Sequence, residues 1–176
     1  MLGRPMQIKL IALLIAPVVA VALIGAAVAH RYVVHFSPNG GCEAALVAEL
    51  AKAKHVKVMA YSFTSEPIAE ALAGVVKRGG TVTAILDKHM SEERGGQMHV
   101  LQRAGVHVCV DGAHAIFHNK VMLIDGHTLA TGSFNFTPHA EHNNAENSLI
   151  LHDVPALVAD YEADFEKHLK HSEKVK

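Results

Sequence analysis

Hydrophobic and polar positions along the chain follow two periods, one typical of strands and the other of helices. A two-residue period predicts four strands, at residues 32–36, 56–60, 82–86 and 106–110. Between the first three of these strands, apolar residues recur every three or four positions, which predicts two amphipathic helices. Strand–helix–strand units in succession favour parallel pairing, with the helices covering the sheet.

Capping and turn-forming residues set the limits of the predicted helices. Ser65 is a good N-cap for the second helix, and the glycine pair at 79–80 ends it. Residues 91–104 predict a weaker helix, because the glycine pair at 95–96 interrupts the pattern.

After residue 110 the pattern changes to short strands without helices between them. Asp125-Gly126 lies between residues 120–124 and 127–130, which is a strong hairpin signal. A further strand at 147–151 precedes an amphipathic helix at 157–169. The whole pattern predicts one α/β domain with a mixed, largely parallel sheet sandwiched between helices.

Residues 1–29 differ in composition from the rest of the chain. Arg4 and Lys9 precede twenty uncharged positions, which end in an Ala-Val-Ala triplet. This order is typical of a secretory signal peptide, although twenty apolar residues also suffice for an uncleaved membrane anchor at 10–29. We expect a signal peptide or anchor at 1–29, a domain at 30–176, and a periplasmic or secreted protein, with a membrane-anchored one as the alternative.

The charge balance and the cysteine count exclude some classes of protein. The 176 residues include 16 basic and 17 acidic ones, a balance that excludes the strongly basic proteins that hold nucleic acid by bulk charge. Without residues 1–29, 14 basic and 17 acidic residues remain, a net charge of −3. Two cysteines, Cys42 and Cys109, exclude a disulfide scaffold. Export would also permit a Cys42–Cys109 bridge, and the expected alternative is two buried thiols.

Residues able to do chemistry concentrate after residue 117. His118 and Lys120 are two apart, so on a strand their side chains share one face. An imidazole can act as nucleophile or proton carrier, and an ammonium binds phosphate oxygens. Ser133 and Asn135 repeat this spacing and supply hydroxyl and amide donors. Together these residues predict an anion site that contains a reactive histidine.

This spacing is similar to the signature of the phospholipase D superfamily. The residues in its register are His118, Lys120, Asp125, Gly132, Ser133 and Asn135. Among its members, the chain most resembles the small secreted endonucleases, which carry the motif once and work as homodimers. The resemblance implies a phospholipase D-like fold and makes residues 30–176 the catalytic domain.

The resemblance also implies a role for each residue. His118 would attack phosphorus and form a phosphohistidine, and Glu146 would accept a hydrogen bond from it. Asp125 is the motif acid and is grouped with the catalytic residues, although its hairpin position suits a structural role. Three residues would bind the non-bridging phosphate oxygens: Lys120, Ser133 and Asn135.

The implied reaction is metal-independent hydrolysis of a phosphodiester without a cofactor. In-line displacement needs a nucleophile and a proton donor on opposite sides of phosphorus, and one His118 cannot supply both. We therefore expect a homodimer with a composite site. The expected substrate is nucleic acid, contacted through its backbone phosphates, and the alternative is a phospholipid such as cardiolipin at a membrane. A metal- or anion-binding module is a third, non-enzymatic reading.

The other histidines and the aromatic residues have simpler explanations. His114 and His118, and likewise His139 and His142, have metal-ligand spacing only on a helix, and these segments are predicted as loop and strand. We therefore expect no metal. The phenylalanines that flank the motif are expected to pack beneath the site: Phe117, Phe134 and Phe136.

Overall fold

The computed structural model describes residues 31–175, which contain an eight-stranded sheet. Its strands are β1 (Tyr32–Ser37), β2 (His55–Ala60), β3 (Thr81–Asp87), β4 (His107–Asp111), β5 (Lys120–Ile124), β6 (Thr128–Gly132), β7 (Glu146–Leu151) and β8 (Glu173–Lys174). Across the sheet they run in the order β1-β7-β6-β5-β2-β3-β4-β8.

Helices cover both faces of this sheet. They are α1 (Cys42–Leu50), α2 (Glu66–Lys77), α3 (Met98–Arg103), α4 (Pro138–His142) and α5 (Pro155–His171). In β2, Val58 and Ala60 pack in a core with α1 to α4, whereas Met59 packs in a second core with α5. This alternation places the two cores on opposite faces of the sheet, so the predicted mixed sheet between helices is confirmed.

Parallel pairing is less extensive than expected. It joins β2 to β3 and β3 to β4, where helices connect the strands. The pairs β2–β5, β5–β6, β6–β7 and β4–β8 are antiparallel. The description "largely parallel" therefore holds only for β2 to β4. The short loop after β5 makes β5 and β6 a hairpin, and β7 pairs antiparallel with β6 although α4 lies in the connection between them.

Local signals are confirmed where residues close in sequence decide the structure. The Ser65 hydroxyl accepts a hydrogen bond from the amide of Ile68 (3.2 Å) and caps α2. Asp125 and Gly126 have φ of +53° and +73°, in the left-handed region that a type I′ turn requires, and the loop also includes His127 because Ile124 pairs with Thr128.

Two regions differ from the predictions. The weak helix expected at 91–104 is divided into a 3₁₀ turn, Met90–Glu92, and α3, with Gly95 at φ +82° between them. The short elements α4 and β8 follow no long apolar pattern and were not expected. α4 brings the Glu141 carboxylate to the start of α1, where it accepts hydrogen bonds from the amides of Gly41 (3.0 Å) and Glu43 (2.9 Å).

The two cysteines are buried and free, as expected. Cys42 lies in the core beneath α1, and Cys109 lies in the core beneath α5. Burial raises the pKa of both thiols, that of Cys42 to about 11. Both side chains act as small apolar core residues.

The predicted signal peptide or anchor, residues 1–29, lies outside the described residues. Between residues 31 and 175, no helix has the length and hydropathy needed to cross a membrane.

Candidate active site

The candidate site lies where β2 ends and β5 begins. Lys120, the first residue of β5, pairs with Ala60, the last residue of β2. The amide of Tyr61 donates to the carbonyl of Asn119 (2.9 Å), which continues this pairing one step beyond the strands. His118 therefore lies in the loop before β5, not on the strand as predicted, and its side chain is exposed.

Lys120 has a charged group in a buried position, with the residue only 7% exposed. Its Nζ donates to the carbonyl of His118 (2.9 Å) and lies 5.1 Å from the centre of the Tyr61 ring. Burial lowers the pKa of Lys120 to about 8, although the negative charge of Glu146 opposes this shift. The ammonium is thus held beside His118 with little water around it, where its attraction for an anion is strong.

Tyr61 contacts both of these residues and was not among the predicted site residues. Its ring lies 4.7 Å from the His118 ring, between centroids, and at 56° to it. The same ring faces the Lys120 ammonium, which is a cation–π contact. Tyr61 therefore orients the imidazole. Its position directly after β2, at the end of a buried strand, is the signal that could have pointed to it.

Ser133 follows β6 and is held by the start of β7. Its Oγ accepts hydrogen bonds from the backbone amide (3.1 Å) and from Nδ2 (3.3 Å) of Asn147. In both contacts the hydroxyl oxygen is the acceptor, so the hydroxyl proton remains available for donation to a ligand. Asn147, which the sequence analysis did not assign, thus fixes a donor at the site.

Gly132 makes the close approach of these two segments feasible. A Cβ at this position would lie 2.2 Å from the carbonyl oxygen of Asn147, and φ is +151°. A side chain would collide with the backbone of β7 and strain residue 132 itself. Glycine is therefore needed to bring Ser133 to its position.

The other residues singled out near the motif are Asn135 and three phenylalanines. The Oδ1 atom of Asn135 is buried and has no hydrogen-bond partner within the described residues. An unpaired buried acceptor is costly and only a hydrogen-bond donor can satisfy it, so phosphate oxygens would be bound by the Nδ2 donor of this amide. The neighbouring phenylalanines are buried, which confirms that they pack beneath the site: Phe117, Phe134 and Phe136.

Glu146 lies at the same end of the sheet as His118. β5 and β7 both pair antiparallel with β6, so Glu146 begins β7 at the end where Lys120 begins β5. Its carboxylate accepts a hydrogen bond from Nδ2 of Asn144 (2.9 Å). The described residues do not include a hydrogen bond from His118 to Glu146, so that contact stays a prediction.

Asp125 is not brought to this group. It follows the last residue of β5, about 17 Å along the strand from Lys120 at roughly 3.3 Å per residue. Its Oδ1 accepts hydrogen bonds from the amides of Lys54 (3.0 Å) and His55 (2.7 Å). The structural role suggested by its hairpin position therefore fits the contacts, and contact with the reacting atoms does not.

The histidine pairs considered as metal ligands do not form sites together. His139 and His142 lie on α4 rather than in a loop, and Nδ1 of His142 contacts Oδ1 of Asn39 (2.9 Å). His114 is part of a group of potential metal ligands around Asp111, which does not include His118.

Comparison with known proteins defines the family. Residues 46–169 match the PLD-like domain described for cardiolipin synthase. The chain belongs to the phospholipase D-like family. The resemblance based on the motif is thereby confirmed.

Phospholipase D-like relatives include proteins with different names. The phospholipase D of Rickettsia conorii is 37% identical over 119 residues, which cover 67% of this chain and 60% of that protein. The mitochondrial cardiolipin hydrolase of Xenopus laevis is 33% identical over 122 residues, 69% of this chain and 58% of that protein. The chain thus spans about three fifths of the length of these curated relatives.

A solved phospholipase D-like structure matches more completely. The crystal structure of Nuc, a phospholipase D family member from Salmonella typhimurium, has a TM-score of 0.80 and 30% identity. The match covers 82% of this chain and 97% of Nuc. The mixed sheet and its helices are therefore the phospholipase D-like fold.

Proposed function

We propose that the chain is a metal-independent phosphodiesterase that cleaves DNA through a phosphohistidine at His118. The observation that supports this most is the grouping of three side chains at one end of the sheet. They are the exposed imidazole of His118, the buried ammonium of Lys120 and the Ser133 hydroxyl, whose proton is available for donation. A nucleophile beside two donors for developing negative charge is what two-step phosphoryl transfer requires.

The first step forms a P–N bond and breaks a P–O bond. An imidazole nitrogen of His118 attacks phosphorus, and the leaving oxygen takes a proton from a second imidazolium on the opposite side. In the second step, water gives its proton to that second imidazole and attacks phosphorus, and the P–N bond breaks. Lys120 and Ser133 stabilise the non-bridging oxygens in both steps, with Asn135 as a third ligand.

The second imidazole belongs to another copy of the chain in this proposal. His118 is exposed and therefore accessible to a second subunit. A two-fold axis through the site supplies the other His118 without further sequence, because the contact is isologous. The motif occurs once in the chain, which is the feature that calls for this arrangement.

Mixing subunits tests the composite site. With His118→Asn and wild-type chains exchanged in equal amounts, activity per wild-type chain should fall to about one half, because mixed dimers lack one imidazole. Activity per wild-type chain that stays unchanged would mean that each chain has a complete site.

The substrate in this proposal is DNA, because the single motif resembles that of the family's small secreted endonucleases. The match to Nuc covers 97% of that protein, whereas the matches to the two curated relatives cover 60% and 58% of theirs. The net charge of −3 for residues 30–176 gives little bulk attraction to DNA. Binding then depends on local contacts with backbone phosphates, which carry no base information, so cleavage should show little sequence preference.

Plasmid nicking with excess EDTA tests the activity. His118→Asn should abolish nicking, because an amide can neither attack phosphorus nor carry the proton. The control is His107→Asn, which changes an exposed histidine at the start of β4, the opposite end of the parallel strands. Nicking that persists in His118→Asn would contradict the proposal.

Phospholipid is the alternative substrate, and one surface residue favours it. Ile116, two residues before His118, is 56% exposed and can contact acyl chains or a membrane surface. Cardiolipin vesicles in the same assay separate the two substrates. Lipid hydrolysis without nicking, reduced by Ile116→Ser, would establish the phospholipase instead.

We also propose that residues 1–29 direct export, so that the enzyme acts in the periplasm or outside the cell. The residue after the Ala-Val-Ala triplet is His30, where a cleaved chain would begin. Recovery of a chain that starts at His30 from the periplasm or medium is expected. An intact chain in the membrane fraction would establish the anchor, and one in the cytoplasm would contradict export.

A further inference from the structure

Four potential metal ligands converge at the end of β4, beside the loop that leads to His118, and none of them is a residue of the candidate active site. Asp111 ends β4, His114 lies in the loop after it, and His168 and His171 are on one face of the last turns of α5. One ligand atom from each of these residues lies within 4.8 Å of the others. The cluster joins the C-terminal helix to the loop that continues to His118.

Asp111 is the centre of this cluster and is 1% exposed. Its Oδ2 lies 2.9 Å from Nε2 of His171 and 3.1 Å from Nδ1 of His114. Its carboxylate thus lies within ligand-to-ligand distance of two imidazole nitrogens.

His168 is the member that a hydrogen-bond network alone does not explain. Its Nδ1 is buried without a hydrogen-bond partner in the described part of the chain, 3.5 Å from Oδ2 of Asp111. Its other nitrogen, Nε2, lies 3.2 Å from Oδ2 of Asp164. In the tautomer with its proton on Nε2, facing Asp164, the ring turns the Nδ1 lone pair toward the Asp111 carboxylate. Two acceptors that face each other are favourable when a cation lies between them.

We propose that Asp111, His114, His168 and His171 bind a single Zn²⁺ ion. Three imidazoles and one carboxylate are a ligand set that zinc accepts in tetrahedral coordination. With bonds of about 2.0–2.1 Å, the ligand atoms of such a site lie roughly 3.4 Å apart, so the present cluster needs only small side-chain rotations.

Asp164 acts in this proposal as the outer carboxylate that orients a metal-bound imidazole. The charges also balance, since the Asp111 and Asp164 carboxylates together carry the two negative charges that a divalent cation neutralises. None of these residues is among those assigned to the phosphate, so the role proposed for the ion is structural.

A bound ion would fix the loop between β4 and β5. Phe117, directly before His118, packs its ring 5.0 Å from that of His168, and its amide donates to Asp87 (2.8 Å). The ion would thus stabilise the fold and hold the segment that carries His118. The inference does not rest on the proposed reaction, because zinc binding is measured directly.

Direct zinc binding to the full chain tests the proposal. After dialysis against a chelator, calorimetry should show one high-affinity Zn²⁺ per chain and a rise in the unfolding temperature. Co²⁺ in the same site should give the visible absorption of tetrahedral coordination. His171→Gln should weaken Zn²⁺ affinity about 100-fold, and Asp164→Asn about 10-fold, without removing the site.

Two controls separate this site from other histidines and from the active site. His99→Gln changes an exposed histidine on α3, and His118→Asn removes the proposed nucleophile, and both should keep full zinc affinity. Equal affinity in the wild type and in both cluster variants, His171→Gln and Asp164→Asn, would overturn the metal site. So would the absence of stoichiometric binding in the wild type, whatever the nicking assay shows.

Discussion

Replacing Lys120 by methionine should abolish activity and at the same time stabilise the protein. The lysine is 7% exposed, and burial lowers its pKa from 10.5 to about 8. At about 1.4 kcal/mol per pKa unit, keeping this side chain charged at pH 7 costs about 3 kcal/mol of folding free energy. Methionine removes that cost but loses the hydrogen bond to the carbonyl of His118 and the cation–π contact with Tyr61, each of which contributes about 1 kcal/mol. The net gain should be about 1 kcal/mol.

The pH dependence of this gain identifies its cause. Between pH 8 and 10.5 the unfolded chain keeps a proton on Lys120 that the folded chain has lost. The stability of the wild type should therefore rise with pH across this window, relative to that of Lys120→Met. The advantage of the variant should be full at pH 7 and shrink toward pH 10.

Urea unfolding at fixed protein concentration, at pH 7 and pH 10, measures both effects. Lys52→Met, at an exposed position after α1, is the matched control and should change stability little at either pH. A Lys120→Met variant that is less stable than the wild type at pH 7 would refute the reasoning. An advantage that does not change with pH would refute it as well.

Three other changes separate structural from catalytic roles. Asp125→Ala should lower the free energy of unfolding by about 1–2 kcal/mol, because two backbone amides lose their acceptor, while kcat for nicking by the folded enzyme stays unchanged; a collapse of kcat at full stability would make Asp125 catalytic. Gly132→Ala should destabilise by about 2 kcal/mol or more, since its Cβ meets the carbonyl of Asn147, and a thermal melt like that of the wild type would contradict this contact. The kcat/KM of the wild type should fall as pH rises through about 8, where Lys120 of the free enzyme loses its proton. An active Lys120→Arg variant should show this fall at higher pH. A flat profile up to pH 10 would argue against a charged Lys120.

Sequence patterns predicted the elements whose causes are local. The Asp125-Gly126 hairpin and the Ser65 cap depend on residues within three positions of each other, so both are legible in the chain. The pairing of strands that are distant in sequence cannot be read from local patterns. Tyr61 meets His118 only because β2 lies beside β5, and Asn147 reaches Ser133 only because β7 lies beside β6.

The histidines also show that local spacing does not predict which distant residues come into contact. Spacing suggested His114 with His118, four positions apart, as the pair to weigh. The sheet and α5 instead bring His114 to His168 and His171, more than fifty positions later, and to the buried Asp111. Helical spacing also relates His168 and His171, which are three apart on α5, but the sequence analysis did not consider this pair. Their partners follow from packing of the helix against β4, which no local pattern contains.

The most direct test of the proposed reaction is to trap its covalent intermediate. Rapid acid-free quenching during cleavage of a short labelled DNA, followed by mass spectrometry, should show the phosphoryl end of the product attached to the imidazole of residue 118. The adduct should form and decay at rates that match turnover, and His118→Asn should show none. Full turnover with no adduct, together with inversion at a chiral phosphorus, would mean that water attacks directly and that His118 is not the nucleophile.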